Sequence, residues 1–171
     1  MVLGMSLSTF TAIHVLISLI GIGSGVVVAY GLVVGKPLPG LTAIFLTFTV
    51  LTSLTGFLFP IEHLTPGLIV GTLSLVVLAG AIVGRYAMHL AGIGRGLYVV
   101  CATIAFYFNC FVLVAQSFAK VPALHALAPT QKEPPFAITQ GIVLVIFVVI
   151  GIFGIKNFHV APQRESLKRA A

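Results

Sequence analysis

Residues 7–34 read LSTFTAIHVLISLIGIGSGVVVAYGLVV, twenty-eight positions without a Lys, Arg, Asp or Glu. An α-helix needs roughly 20 apolar residues to cross the hydrocarbon core of a bilayer. Inside lipid the backbone must satisfy its own hydrogen bonds, and a single uninterrupted segment does so only as a helix. The run closes on Gly35-Lys36-Pro37-Leu38-Pro39-Gly40, a turn that no helix crosses. Residues 1–10 contain no Lys or Arg, so the charged region that opens a signal peptide is missing and the run reads as a membrane helix.

Four further stretches pass the same test. They cover about 41–59, stopped by Pro60, then about 67–90, about 95–119 behind the turn Ala91-Gly92-Ile93-Gly94, and about 137–158. The sequence therefore predicts an all-α integral membrane bundle of five transmembrane helices occupying residues 1–159. Residues 160–171 form a polar tail. Composition agrees: 59% of residues are hydrophobic, 7% are charged, and the mean hydropathy is +1.20, whereas soluble domains carry about 25% charged residues.

The net charge of +6 is not a nucleic-acid signature, because the basic residues sit at loop ends and in the tail and form no stripe. They read as topology determinants. With the N-terminus outside, Lys36, Arg85, Arg95, Lys156, Arg164, Lys168 and Arg169 are cytoplasmic, and only Lys120 and Lys132 lie outside. The C-terminus is then cytoplasmic.

Each helix carries a seam of small or polar residues, the means by which helices pack closely in lipid. In the first helix Thr11, His14, Ser18, Gly21 and Gly25 recur in steps of three and four and share one face. The second offers Thr42, Thr49, Thr52 and Gly56, with Ser53 and Thr55 alongside. The third has Gly67, Gly71, Ser74, Ala81 and Arg85, and the fourth Ala102, Ala105, Asn109, Gln116 and Lys120. These seams are expected to face inward. Arg85 is expected to snorkel toward headgroups. The pairs Gly21/Gly25, Gly67/Gly71 and Gly80/Gly84 also allow helix association, with other membrane subunits or with a second copy as partners besides the lipid bilayer.

Polar groups at membrane depth are the candidates for function, since each is costly without a partner or a purpose. His14 lies about two turns inside the outer end of its helix, Gln116 reaches the same depth, and Thr52 and Thr55 arrive there from the second helix. Asn109, seven residues before Gln116 on the same face, lies nearer mid-membrane. His14, Asn109, Gln116, Thr52 and Thr55 are thus the expected ligand-binding set, with interhelical hydrogen bonding as the alternative for each. The outer loops add Glu62, His63 and His125. With His14 these form a candidate haem or metal set, although no local His-x-x-x-His spacing supports it. A b-type haem needs axial ligands at one depth. His14 has no intramembrane histidine at its level, so His63 or His125 would have to fold inward.

The segment from Lys120 to Pro135 contains four prolines but is too apolar for a disordered linker. It is expected to form a lid on the outer face, with a short helix around Ala123–Leu127. The glycine runs at 21–25 and 92–96 follow no strand and lack the P-loop Lys-Ser/Thr pair, so neither is a nucleotide loop. Cys101 and Cys110, nine residues apart in one helix, cannot bridge each other there and read as apolar filler. With three acidic residues in the chain, no carboxylate pair or nucleophile triad assembles, and no catalytic residue is assigned.

The stretch from Tyr107-Phe108-Asn109-Cys110 through Gln116-Ser117-Phe118, Lys120-Val121-Pro122-Ala123-Leu124, Ala128-Pro129 and Glu133-Pro134-Pro135-Phe136, together with Thr55-Gly56-Phe57-Leu58-Phe59-Pro60, resembles the signature of a small uncharacterised family of multi-pass bacterial inner-membrane proteins. The resemblance covers the second to fifth helices. It implies a bacterial plasma membrane and brings no activity with it.

Three function classes follow. The first is a membrane accessory or binding subunit whose outer-half polar pocket takes haem b, a quinone or a metal ion. The second is a small-solute or ion transporter or channel lined by His14, Asn109 and Gln116. The third is a membrane-embedded enzyme, which the shortage of acids and nucleophiles disfavours.

Overall fold

The computed structural model describes residue 2, residues 4–60 and residues 66–159. The chain forms α1 (Leu7–Val34), α2 (Pro39–Gly56), α3 (Pro66–Ile82) with a π-helical turn at Val83–Ala87, α4 (Ile93–Lys120), the short α5 (Pro122–Leu127) and α6 (Pro134–Asn157). Among the described residues there is no strand beyond an isolated bridge between Val2 and Met5. Five of the helices are long and apolar enough to cross a membrane, counting α3 and its π turn as one span.

The long helices form a ring. α1 packs on α2, α2 on α3, α3 on α4, α4 on α6, and α6 returns to α1, while α4 also touches α1 and α2 across the centre. Alternating chain direction gives the bundle two ends. The lid end gathers the start of α1, the end of α2, the end of α4, α5 and the start of α6. The basic end gathers Lys36, Arg85, Arg95 and Lys156.

Local chemistry sets the helix ends. The Ser6 hydroxyl accepts from the Thr9 amide at 3.1 Å and caps α1. At the other end Gly35 adopts φ 73, the left-handed cap that glycine takes without a steric penalty. A Cβ there would also lie 2.5 Å from the Asn157 carbonyl oxygen. Prolines occupy the first turns of α2, α5 and α6, where their missing N–H is no loss. This is why α2 and α6 start two and three residues earlier than their apolar runs suggest.

Two further boundaries depart from expectation. α2 stops at Gly56, three residues short of 59, and finishes in tight turns from Phe57 to Leu54 and from Leu58 to Thr55 before Pro60. The third span was expected to continue to 90. Its α-helical turns end at Ile82, and the π turn hands over to a loop in which the Met88 amide reaches Val83 O and the Leu90 amide reaches Gly84 O. His89 and Leu90 take positive φ there, 49 and 57.

The core fills the basic half and centre. Phe45, Phe106 and Phe147 stack edge-on, with centroids 5.8 and 5.0 Å apart, among Val28, Leu32, Tyr98, Val99 and Phe158. Between helices in lipid the hydrophobic effect is weak, so close fit carries the association. Gly25 lets Phe106 and Phe45 come against α1, and Gly84 lets α3 touch the backbone of α4 at Gly94 and Tyr98. The outer faces are apolar and exposed, as on α6 at Ile142, Val145, Val149 and Ile152. They are surfaces for a lipid bilayer.

Candidate functional site

α1 and α2 lie side by side because Gly21 presents no side chain: a Cβ there would be 3.5 Å from the Thr49 amide nitrogen. Seven residues earlier on the same face, two turns toward the lid end, α1 carries His14. Its Nδ1 is 2.7 Å from the Thr55 hydroxyl of α2. The imidazole packs edge-on against Phe59, centroids 5.1 Å apart at 87°, and Phe59 in turn meets the buried Phe10 at 4.9 Å. Gly56 leaves space beside the ring, since a Cβ there would still be 3.9 Å from His14 Cε1.

The hydrogen-bond partners fix which nitrogen carries the proton. Thr55 Oγ1 lies 2.7 Å from the Leu51 carbonyl and 3.2 Å from that of Thr52. A hydroxyl has one proton, and a carbonyl only accepts. Two oxygens 2.7 Å apart must have that proton between them, so Thr55 donates to Leu51. It therefore accepts from His14, whose neutral form is the Nδ1–H tautomer. Nε2 keeps its lone pair and takes no hydrogen bond from any described residue.

The second polar pair lies deeper. Asn109 Nδ2 donates to Thr49 Oγ1 at 3.1 Å, with both residues buried. A third joins Thr42 and Tyr98, 3.4 Å apart and also buried. Thr42, Thr49 and Thr55 thus turn α2 into a spine that bonds to α4 twice and to α1 once.

Of the expected set, His14 and Thr55 come together and Asn109 stands apart on Thr49. Thr52 bonds back to Phe48 O at 2.8 Å, within its own helix. Gln116 is exposed. His125 is exposed on α5, which rests on α4. Glu62 and His63 lie outside the described residues. Among the described residues no three His, Cys, Asp or Glu side chains gather as metal ligands.

The lid segment is tied down as expected. α5 spans Pro122–Leu127, Gln131 donates to Ala115 O at 2.8 Å, and Phe118 meets Phe136 edge-on at 5.4 Å. The Glu133 carboxylate accepts from the Thr130 hydroxyl and amide and from the Lys132 amide. Desolvation is the largest single influence and pushes its pKa up, but the hydrogen bonds together outweigh it and hold the carboxyl below the usual glutamate range.

Sequence reading missed Gln140 of α6. It is buried and donates to Phe111 O at 3.0 Å, while its Oε1 has no partner among the described residues. A glutamine set directly before the unbroken apolar run from Gly141 to Ile155 was the available signal. Arg85, expected to snorkel, is half-buried. Its guanidinium lies over Tyr98 and Tyr86, at 5.3 and 5.5 Å from the ring centroids.

No protein-family model, no curated protein and no solved structure matches the chain. Function is therefore read from these side chains.

Proposed function

We propose that the chain is a membrane-embedded accessory or binding subunit in which His14 Nε2 is the group that holds a ligand. The observation behind this reading is the 2.7 Å bond to Thr55, whose own proton is committed to Leu51. A histidine that donates one N–H to an oxygen partner is orientated and made a better base at the other nitrogen, the arrangement common among metal-bound histidines. That lone pair suits the iron of a haem b or a metal ion, or it accepts the hydroxyl of a quinol. For a metal ion the remaining donors would come from Glu62, His63 or His125.

The transporter reading has less support. The core around Phe45, Phe106 and Phe147 is closely packed. The space among Gly25, Val28, Phe45, Ala102 and Phe106 amounts to about 10 Å³, the room of a single water. We place the chain in a bacterial inner membrane with its basic end cytoplasmic, on the resemblance above and on the distribution of Lys and Arg.

A reduced-minus-oxidised visible spectrum of the protein in mild detergent tests the binding role, with metal analysis and quinone extraction on the same sample. A Soret shift, a stoichiometric metal or a bound quinone that is present in the wild type and lost in His14→Ala supports it. No ligand of any of the three kinds, or one unaffected by His14→Ala, overturns it.

A further inference from the structure

We infer that Arg85 anchors the phosphate of an anionic phospholipid at the junction of the π turn and α4. The π turn widens the helix at Val83–Ala87, an irregularity frequent at functional sites. Gly84 within it brings the two backbones together: a Cβ there would sit 2.6 Å from Gly94 O and 2.8 Å from the Tyr98 nitrogen. The next residue is thereby set over the Tyr98 ring. The two tyrosines attend to the face of the guanidinium, which is a cation–π contact. Nε and Nη1 are both buried without a hydrogen-bond acceptor among the described residues.

A guanidinium stays charged, and a buried charge without a partner is costly. Its counter-ion is scarce within the chain. Among the three acidic residues, Glu133 caps α6 at the opposite end, Glu62 belongs to the α2–α3 connection, and Glu165 follows α6 beyond the described residues. Lys36, Arg95 and Lys156 share the basic end with Arg85, and Arg95 is engaged with the Ile155 and Phe158 carbonyls. The local field therefore favours an anion from outside.

Position selects a lipid over a free ion. Arg85 occupies the final turns of a membrane span, Gly67–Ala87, at the depth of headgroups. Its neighbours Ile82, Val83 and Tyr86 are exposed and offer an apolar wall to an acyl chain. A surplus of positive charge at this end prefers phosphatidylglycerol to a zwitterionic lipid.

The test uses the full-length protein in a neutral detergent, titrated separately with dioleoyl-phosphatidylglycerol, dioleoyl-phosphatidylcholine and sodium phosphate. Melting temperature and bound lipid, counted by native mass spectrometry, are the readouts. The wild type should show a saturable rise in melting temperature and a retained lipid with phosphatidylglycerol only. R85K, which keeps the charge and loses the planar fork, should need about tenfold more lipid. R85Q should lose the saturable response, and K132Q, a change on the exposed lid segment at the opposite end, should keep it. If R85Q does not fold, R85K against K132Q decides. An R85K or R85Q response equal to the wild type overturns the inference. So does an equal effect of inorganic phosphate, which would make the site one for a free anion. So does E165Q matching R85Q in stability with no lipid effect in the wild type, since Glu165 would then be the partner.

Discussion

The two ends of this bundle solve the same problem in opposite ways. At the lid end the polar residue His14 is partly satisfied by one threonine, packed against Phe59, and left with a free ring nitrogen. At the basic end the helices are locked by close backbone contact at Gly84 and by buried rings from Phe45 to Phe158. The basic end has the tight packing, and the lid end has the neutral ring nitrogen open to a ligand. Stability should therefore depend most on the first and ligand chemistry on the second.

The largest effect is expected where backbones touch. Gly84→Leu should cost about 3 kcal/mol or more through overpacking against the α4 backbone, seen as a collapse of the thermal transition in detergent. Gly141→Ala, at a site with nothing within 4 Å, should be neutral or slightly stabilising, because alanine is the better helix former. Equal losses from both would mean that α3 and α4 do not meet as described.

Asn109→Leu comes next. It strands the Thr49 hydroxyl in a dry interior, at about 1–2 kcal/mol. A double-mutant cycle with Thr49→Val should return a coupling of about 0.6 kcal/mol, the usual size in membrane bundles. A coupling near zero would remove the pair from the list of contacts that join α2 to α4.

At the lid end the stability effect should be smaller and the chemical effect larger. His14→Ala should cost about 1 kcal/mol yet abolish ligand content, whereas the exposed His89 and His159 should tolerate alanine on both counts. Equivalent behaviour of all three histidines would dissolve the distinction between the two ends.

The smallest effect concerns the lid. The Glu133 pKa is lowered in the fold, so its contribution is complete above the unfolded value of about 4.3. It is lost as the pH falls through the folded value. Hydrogen exchange at the Thr130 and Lys132 amides should quicken over that acidic window in the wild type. In Glu133→Gln it should be unresponsive to pH there, beyond the intrinsic exchange rate.

The five spans were legible in the sequence because length and apolarity alone set them, and the bounds of α1 were read off directly. The seam of α1 was legible too, since steps of three and four place Gly21 and Gly25 on the α2 side. What each polar residue bonds to was not. Asn109 and Gln116 share a face by their spacing, yet only Asn109 finds a partner. α2 and α4 run parallel, so seven residues beyond the Asn109–Thr49 pair Gln116 comes level with Gly56, where α2 ends and has no side chain to offer. The surroundings of Arg85 were not legible either. Its place over Tyr98 depends on the π turn and on the approach of Gly84 to α4, and neither leaves a periodic mark in the sequence.

The central claim is that Thr55 holds His14 as the Nδ1–H tautomer with a bare Nε2. Two-bond ¹H–¹⁵N correlation spectra of histidine-labelled protein in lipid nanodiscs, assigned by loss of the signal in His14→Ala, test it directly. The account predicts a protonated Nδ1 and an unprotonated Nε2 for His14 near neutral pH, with that pattern relaxing toward a tautomer mixture in Thr55→Val. An Nε2–H tautomer in the wild type, or a pattern indifferent to Thr55→Val, would contradict it.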